Sequence, residues 1–493
     1  MYLPSKKEFI KKTNKANLIP VHKEIFADFI TPLLAYKRIR SKNSFLFESV
    51  EGEERIARYS FLGSDPSVVI FIKKNKVTIR GKSRNETLYC DDPFDYIKKF
   101  MSNFKTTKVK GLPRFYGGLV GYIGYDCIRY FEDIPDTCCD DLKLYDSILM
   151  LTDTILIFDH ITHKIKVVSN AHIQSKLKND LIKQYNKAVK RIDSIIDKLN
   201  KSTNESIPEI KYEQKPSGVK SNFKKGDFKK ILSKAKDYIK KGDIIQVVIS
   251  QRFKARFNKD PLNAYMALRS INPSPYMFYL SFGSLKLIGS SPEIMVRSEQ
   301  GIVRIRPIAG TRKRGKDEQE DNLLIIDLLS DSKERAEHLM LVDLARNDLG
   351  RACKTGTIKI GEFMVIEKYS HVMHIVSDCA GTLEKGKDSF DVLRASFPAG
   401  TVTGAPKIRA MEIIDELENI RRGPYAGCVG YFSFSGNMDT CITIRTIIIK
   451  NNTAYVQAGA GIVADSVPEN EYKETQNKAA AMLKAIASAR SVQ

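Results

Sequence analysis

The segment QAGAGIVADSVPENEYKETQNK, residues 457–478, sets a run of very small side chains just before a helix that carries paired carboxylates. Gly459, Ala460 and Gly461 leave their backbone N–H groups open to an oxyanion, because almost nothing on Cβ blocks the approach. Glu471, Glu474 and Lys478 follow at spacings of three and four, which stacks them on one helix face. Like charges stacked this way repel, so the face must be well solvated or hold a cation. An isolated pair of this kind belongs on a solvated surface helix. The glycines before it point instead to an anion cradle beside a carboxylate pair, and any fold this chain adopts must keep the two together.

A second pair lies upstream. In DSKERAEHLMLVDLARNDLGR, residues 331–351, Glu334 and Glu337 share one face of an amphipathic helix, with Leu339, Leu341, Val342 and Leu344 toward the core. Two acidic pairs on separate helices are suited to face each other across a cavity. The usual resident of such an all-oxygen site is a hard divalent cation that keeps some of its waters, Mg²⁺ above all. None of the eight cysteines forms a CxxC, so zinc has no ligand set at its usual spacing.

With 493 residues the chain has material for about two or three average domains, or for one large core with an appended part. Its cysteines are scattered and no signal peptide precedes them, which suits reduced thiols in a cytoplasmic protein. The most apolar run, SILMLTDTILIFD, is broken by Asp153, so no membrane span is expected. Eighty Lys+Arg against 58 Asp+Glu give a formal charge of +22. The excess is spread along lysine-rich helices such as FKKGDFKKILSKAKDYIKKGD and is not gathered on a basic arm with stacking aromatics, which argues against nucleic acid as the partner.

Strand-like runs such as SFLFESV, SVVIFIKK and GGLVGYIGYD dominate residues 1–204, ahead of a charged helix over about 171–200. Residues 205–222 are polar and proline-bearing and have the composition of a linker. From 223 to 493 helices and β-rich runs alternate, as in a large α+β body. Within it, alternation along YSHVMHIVSDCAG puts Val372 and His374 on one face and His371 and Met373 on the other. A lone strand histidine is more often a satisfied core residue than a catalyst. In SFPAGTVTGAPKIRAMEIIDEL, Thr401, Thr403 and Lys407 are candidate donors to an anion at a helix start. Arg445, inside the apolar run CITIRTIIIK, needs an anionic partner if buried.

The segments RPIAGTRKRG, SKERAEHLMLVDLARNDLGR, YSHVMHIVS, FPAGTVTGAPKIRAME, RRGPYAGCVGYFSFSGNMDT and QAGAGIVADSVPENEYKETQNKA occur in that order. They resemble the chorismate-utilising enzymes, and the likeness spans nearly the whole chain. The resemblance implies an α+β fold of two β-sheets packed in a sandwich, helices around them, and a smaller β-rich N-terminal part with a regulatory role. It implies that Glu337 and Glu474 bind Mg²⁺, supported by Glu334 and Glu471. Gly310, Thr311, Tyr425, Arg445 and the backbone of Gly459, Ala460 and Gly461 would hold chorismate. His374 would be the acid/base group, with Thr401 beside it.

The implied reaction adds ammonia at ring C2 while His374 helps the C4 hydroxyl leave, passes through 2-amino-2-deoxyisochorismate, and eliminates pyruvate to give anthranilate. Mg²⁺ would act on the ring carboxylate, and Arg445 would grip the enolpyruvyl carboxylate. Relatives that add water carry a lysine where this chain has Gln246, and a neutral amide cannot deprotonate water. Relatives that make aminodeoxychorismate carry a nucleophilic lysine where this chain has Ala309. Ammonia addition without a covalent intermediate remains, and its source would be a separate glutamine amidotransferase subunit in a heterotetramer of two large and two small subunits.

SFLFESVEGEERIARYS and NPSPYMFYL resemble the family's feedback elements. Glu48 and Ser49 (followed by Ser60) with Pro275, Tyr276 and Met277 would surround L-tryptophan, its indole against the last three. Phe47 replaces a leucine of the relatives, and Ile56-Ala57 stands where they often carry Trp-Gly. The competing readings are an aminodeoxychorismate synthase, a tryptophan sensor without turnover, and a basic RNA binder with salt-dependent affinity.

Overall fold

A computed structural model describes residues 1–49, 58–81, 85–107, 109–201, 216–369 and 372–489. The apolar run SILMLT forms the strand Ser147–Thr152, buried along its whole length, as is its antiparallel neighbour Gly118–Ile123. Strands buried on both faces need a layer on each side. One layer is a second sheet: a twelve-stranded and an eleven-stranded antiparallel sheet pack face to face. Between them lie Phe45, Phe278, Leu287 and Ile448 from the larger sheet and Val120, Tyr122, Met150 and Val429 from the smaller. Each such side chain contributes about 1.5–3 kcal/mol of burial. Helices Pro32–Ile39, Lys178–Asn200, Pro261–Ile271 and Pro468–Ser488 cover the outer face of the larger sheet. The architecture is the α+β sandwich that the sequence led us to expect.

The N-terminal strands do not form a part of their own. Asn43–Glu48 is hydrogen-bonded to Tyr59–Ser64 on one side and to Tyr276–Phe282 on the other. From there the sheet continues through Leu285–Ser291, Thr446–Lys450, Thr453–Ile462 and Gln246–Arg256. In the smaller sheet Gly118–Ile123 pairs Cys428–Ser433. The 205–222 boundary therefore separates stretches of chain and not layers; residues 205–215 of that stretch, like Ile56-Ala57 and His371, lie outside the described residues.

Two local expectations shift. The helix anticipated from about residue 171 begins at Lys178, because Ala171 and His172 still pair with Ile19 and Leu18. Leu339, expected in the core, is 46% exposed. No helix among the described residues is long and apolar enough to cross a membrane.

A small third sheet, Val365–Lys368, Val372–Val376 and Ile308–Lys313, has its own apolar cluster of Leu328, Met373 and Ile375. With Met373 and Ile375 committed to that cluster, alternation turns His374 to the opposite face.

Candidate active site

The strand Thr453–Ile462 outruns one neighbour. Thr446–Lys450 pairs with it only as far as Val456, because the preceding residue, Arg445, has φ 50°, a left-handed backbone that ends regular pairing. Past that point Gly459, Ala460 and Gly461 keep partners on the other edge alone, opposite Ser250, Ile249 and Val248. A Cβ on Gly459 would come within 2.8 Å of the Tyr425 hydroxyl, and one on Gly461 within 2.7 Å of Gln246 Nε2. Glycine is thus required where Tyr425 and Gln246 press on the strand. Ala460 contributes backbone only, its methyl being in the core.

The helix Pro468–Ser488 closes one side. Arg445 Nη1 donates to the carbonyl of Lys478 (2.8 Å), and burial disfavours the guanidinium's charge. Lys478 Nζ lies 2.5 Å from Glu474 Oε1 and donates to Gly459 O at 3.2 Å. Burial raises the Glu471 carboxyl, and the neighbouring Glu474 adds to that rise.

The helix Ser332–Gly350 closes another side. Glu337 Oε1 accepts from Gln246 Nε2 at 3.1 Å, the amide that abuts Gly461. Glu334 lies 3.4 Å from Arg312, which also holds Asp327 and Asp331 at 2.6 and 2.9 Å. Burial, with Glu337 next in effect, raises the Glu334 carboxyl.

The strand Ile308–Lys313 bulges between Ala309 and Thr311, and Gly310 there has φ 69°. The bulge turns the Gly310 carbonyl to His374 Nδ1 at 2.9 Å and brings Thr311 Oγ1 to 3.1 Å of the same nitrogen. A Cβ on Gly310 would lie 3.3 Å from Glu334 Oε2, so the glycine whose carbonyl meets the histidine also faces the Glu334 carboxylate. Burial holds the His374 imidazole below its usual range, and Arg445 pushes the same way. Neutral, with Nδ1–H donated to Gly310 O, it keeps its lone pair on Nε2.

Sequence reasoning missed Glu293. It sits in the loop between Leu285–Ser291 and Ile294–Glu299, beside Thr401, Lys478 and Arg445. Desolvation raises its carboxyl to about 7 despite the pull of those three neighbours. A lone Glu in SSPEIM has no helical partner at i+3 to mark it. Thr401 lies on the short turn Gly400–Val402. Thr403 and Lys407, offered as anion donors, are committed elsewhere: Thr403 Oγ1 to Ala399 O at 3.0 Å, and Lys407 to both oxygens of Asp348 at 2.8 Å.

Arg422, 2% exposed, props the whole set. Its guanidinium donates to Glu418 (2.6 Å), Val248 O (2.7 Å) and Val402 O (2.7 Å) and lies over the Tyr425 ring. Arg422→Met leaves Glu418 buried without its charge partner, and we expect a loss of about 3–5 kcal/mol in urea unfolding.

Among the described residues no three His, Cys, Asp or Glu side chains stand close enough together to hold a metal ion. Each carboxylate pair instead meets an internal cation, Glu334 the guanidinium of Arg312 on the strand Ile308–Lys313 and Glu474 the ammonium of Lys478 on its own helix. The donor set nonetheless suits a hard divalent ion: it is all carboxylate, and the mutual repulsion within each pair is what such an ion would relieve.

A second cavity opens between the sheets at some remove in sequence from these groups. Its lining includes Glu48, Ser49, Pro275, Tyr276 and Met277, the five residues nominated for tryptophan, together with Phe47, Tyr59, Phe61, Arg114, Arg297, Tyr431 and Asp439. Three polar atoms at its wall, Ser49 Oγ, Arg114 Nε and Tyr431 Oη, are buried with no hydrogen-bond partner among the described residues. Asp439 is shared by Arg114 (3.1 Å), Arg297 (3.0 Å) and the Tyr276 hydroxyl (3.0 Å). Glu48 accepts from Tyr265 Oη at 2.5 Å and lies 3.4 Å from Arg269.

Residues 42–484 match the family model described as chorismate binding enzyme. The chain is 50% identical over 491 residues to anthranilate synthase component 1 of Acetivibrio thermocellus, covering 99% of each. It is 50% identical over 484 residues to that of Aquifex aeolicus (strain VF5), covering 98% of this chain and 97% of the relative. Among solved structures it superposes on anthranilate synthase component I from Streptococcus pneumoniae TIGR4 with TM-score 0.79 and 37% identity, covering 93% of this chain and 99% of that one. The fold is shared with the menaquinone-specific isochorismate synthase from Escherichia coli (TM-score 0.70, 19% identity, covering 96% and 95%). The chain belongs to the chorismate binding enzyme family.

Proposed function

We propose that the protein converts chorismate and ammonia to anthranilate and pyruvate, with Mg²⁺ as cofactor and L-tryptophan as feedback inhibitor. The reading is carried by two acid–base groups that their surroundings shift in opposite directions at one site: Glu293, which keeps its proton up to about pH 7, and His374, neutral at that pH. The relatives named anthranilate synthase component 1 support the same chemistry.

Glu337 and Glu474, backed by Glu334 and Glu471, are the residues that would hold Mg²⁺, which when bound supplies Lewis-acid polarisation of the ring carboxylate. The open edge at Gly459–Gly461 offers N–H groups to the substrate, and Arg445 and Tyr425 stand over it for the enolpyruvyl carboxylate. Glu293 donates its proton to the C4 hydroxyl, which leaves as water as the ammonia nitrogen bonds to C2. His374 Nε2 then takes the C2 proton. The ring aromatises as the bond between the ring and the enolpyruvyl oxygen breaks, its electron pair leaving on that oxygen, and the released enolate takes up one proton at its methylene carbon, the one His374 has removed, to become pyruvate. This division of labour moves the acid role that the sequence assigned to His374 onto Glu293.

Ammonia comes from a separate glutamine amidotransferase subunit, as the relatives' designation "component 1" suggests, in a heterotetramer of two large and two small subunits working in the cytoplasm. Size-exclusion of the co-expressed pair as separate monomers would count against this assembly. The apolar second cavity, with three polar atoms awaiting partners, suits a zwitterionic aromatic ligand such as tryptophan.

The test is to mix the chain with chorismate, Mg²⁺ and ammonium at mildly alkaline pH and follow anthranilate fluorescence. Fluorescence that requires Mg²⁺ and falls on adding tryptophan is expected. Chorismate consumed without fluorescence points to the aminodeoxychorismate branch, and chorismate left intact to a sensor.

A further inference from the structure

His374 is the middle member of a row. On the small sheet, Thr311 stands directly opposite it on one neighbouring strand and Glu367 directly opposite it on the other, so the three side chains share one face. Thr311 and the Gly310 carbonyl both meet the imidazole at Nδ1. A ring gripped at one nitrogen can still pivot about it, and the pivot carries Nε2 away from the proton it is to remove.

Tyr369 stands where it would stop that pivot. Its ring packs edge-on with the imidazole, centroids 5.7 Å apart and planes at 62°. The tyrosine is itself pinned: its N–H donates to Val372 O (2.8 Å), its carbonyl accepts from Arg314 Nη1 (2.9 Å), and its hydroxyl donates to Glu367 Oε2 (2.8 Å). Glu367 is held in turn, its Oε1 lying 2.5 Å from the guanidinium of Arg306. Burial, and after it the charge of Glu367, keeps the proton on the phenol, so Tyr369 remains a donor to that carboxylate. Arg306 leads into the strand Ile308–Lys313 and Glu367 belongs to Val365–Lys368, so Arg306, Glu367 and Tyr369 brace the two strands on either side of the one that carries His374.

We infer that Tyr369 is the positioning residue of His374: its ring blocks the imidazole's pivot about Nδ1 and keeps Nε2 aimed at the C2 proton, while Glu367, braced by Arg306, holds the ring in place. The inference rests on the reading of His374 as the base of the second step. It makes Tyr369 a determinant of how far the reaction runs. Addition at C2 uses Glu293 and proceeds without the tyrosine, whereas a base displaced by about 1 Å loses on the order of a hundredfold in rate.

The test is to give the full chain chorismate, Mg²⁺ and saturating ammonium, and to follow chorismate consumption, anthranilate fluorescence and the aminated intermediate by mass spectrometry of the quenched reaction. Wild type, Tyr369→Leu, Tyr369→Phe, Glu367→Ala and His374→Ala are compared. Tyr369→Leu should lower the kcat for anthranilate by about a hundredfold, with the KM for chorismate and the rate of its consumption close to wild type, so that the intermediate accumulates. Tyr369→Phe, which keeps the ring, should restore most of the anthranilate. Glu367→Ala frees the hydroxyl but leaves the ring, so it should raise the ratio of intermediate to anthranilate more weakly than Tyr369→Leu; it decides the matter if Tyr369→Leu has a lowered melting temperature. A wild-type ratio in the folded variants, or consumption and anthranilate falling in equal proportion, overturns this inference if His374→Ala still accumulates the intermediate. Near-normal anthranilate formation by His374→Ala overturns both this inference and the reading of His374 as the base.

Discussion

His374→Ala should fold, bind chorismate, and stop halfway. The imidazole contributes one hydrogen bond to the Gly310 carbonyl, a contact with Thr311 and an edge-on contact with the Tyr369 ring, and it is only partly buried, so its loss should cost little stability. Chemically the loss is severe. Removing a general base costs about 10²–10⁴ in rate, and the base in question serves the second step, abstraction of the C2 proton. The first step, addition of ammonia with departure of water, relies on Glu293 and should survive. Mass spectrometry of the quenched reaction should therefore find a species that has gained the amine, lost water and kept its pyruvyl ether, while anthranilate fluorescence falls at least about a hundredfold. Near-normal kcat would remove His374 from the mechanism. Loss of chorismate consumption as well would return the acid role to it.

Glu293→Gln should have the reverse profile: no intermediate, and a more stable protein. A carboxyl raised to about 7 in the folded state binds more protons than its unfolded counterpart between about pH 4.5 and 7. Stability therefore falls as pH rises through that window and levels off above it, and the wild type carries a penalty on the order of 3 kcal/mol at pH 8 that it lacks at pH 4. Glutamine keeps the shape without the charge. Urea midpoints should coincide at pH 4 and favour the variant at pH 8, while chorismate consumption drops by about 10²–10⁴ at every pH. In the wild type at saturating ammonia, kcat should decline above about pH 7 as Glu293 loses its proton. A variant as active as the wild type, or one with the same pH dependence of stability, would put another group in this role.

Much of the site was legible because it obeys local periods. Glu334 with Glu337, and Glu471 with Glu474, announce themselves by helical spacing, and alternation along the strand Val372–Val376 gives the face of His374. Arg445 stood out as a charge in an apolar run. Glu293 obeys no period; it matters because a loop carries it to Thr401, Lys478 and Arg445, neighbours that only tertiary folding supplies. The floor of the second cavity was hidden in the same way, since Arg114, Arg297 and Asp439 come from three separate segments. Arg297 and Asp439, charges within strands, carried the signal that exposed Arg445, and applying it uniformly would have flagged them. The pairing of the two stretches was not legible because strand pairing has no local signature: nothing in SFLFES reveals that its partner is YMFYLSF.

That pairing has a consequence for how the molecule comes into being. The strand Asn43–Glu48 leaves the ribosome with one edge waiting for Tyr276–Phe282, and Gly118–Ile123 waits still longer for Cys428–Ser433. At about 5–20 residues per second, those apolar edges stand open for roughly ten seconds to a minute in every round of synthesis. The N-terminal half is therefore not a module that can be made alone. Severed from the rest it would keep those strand edges without the partners they have in the whole chain.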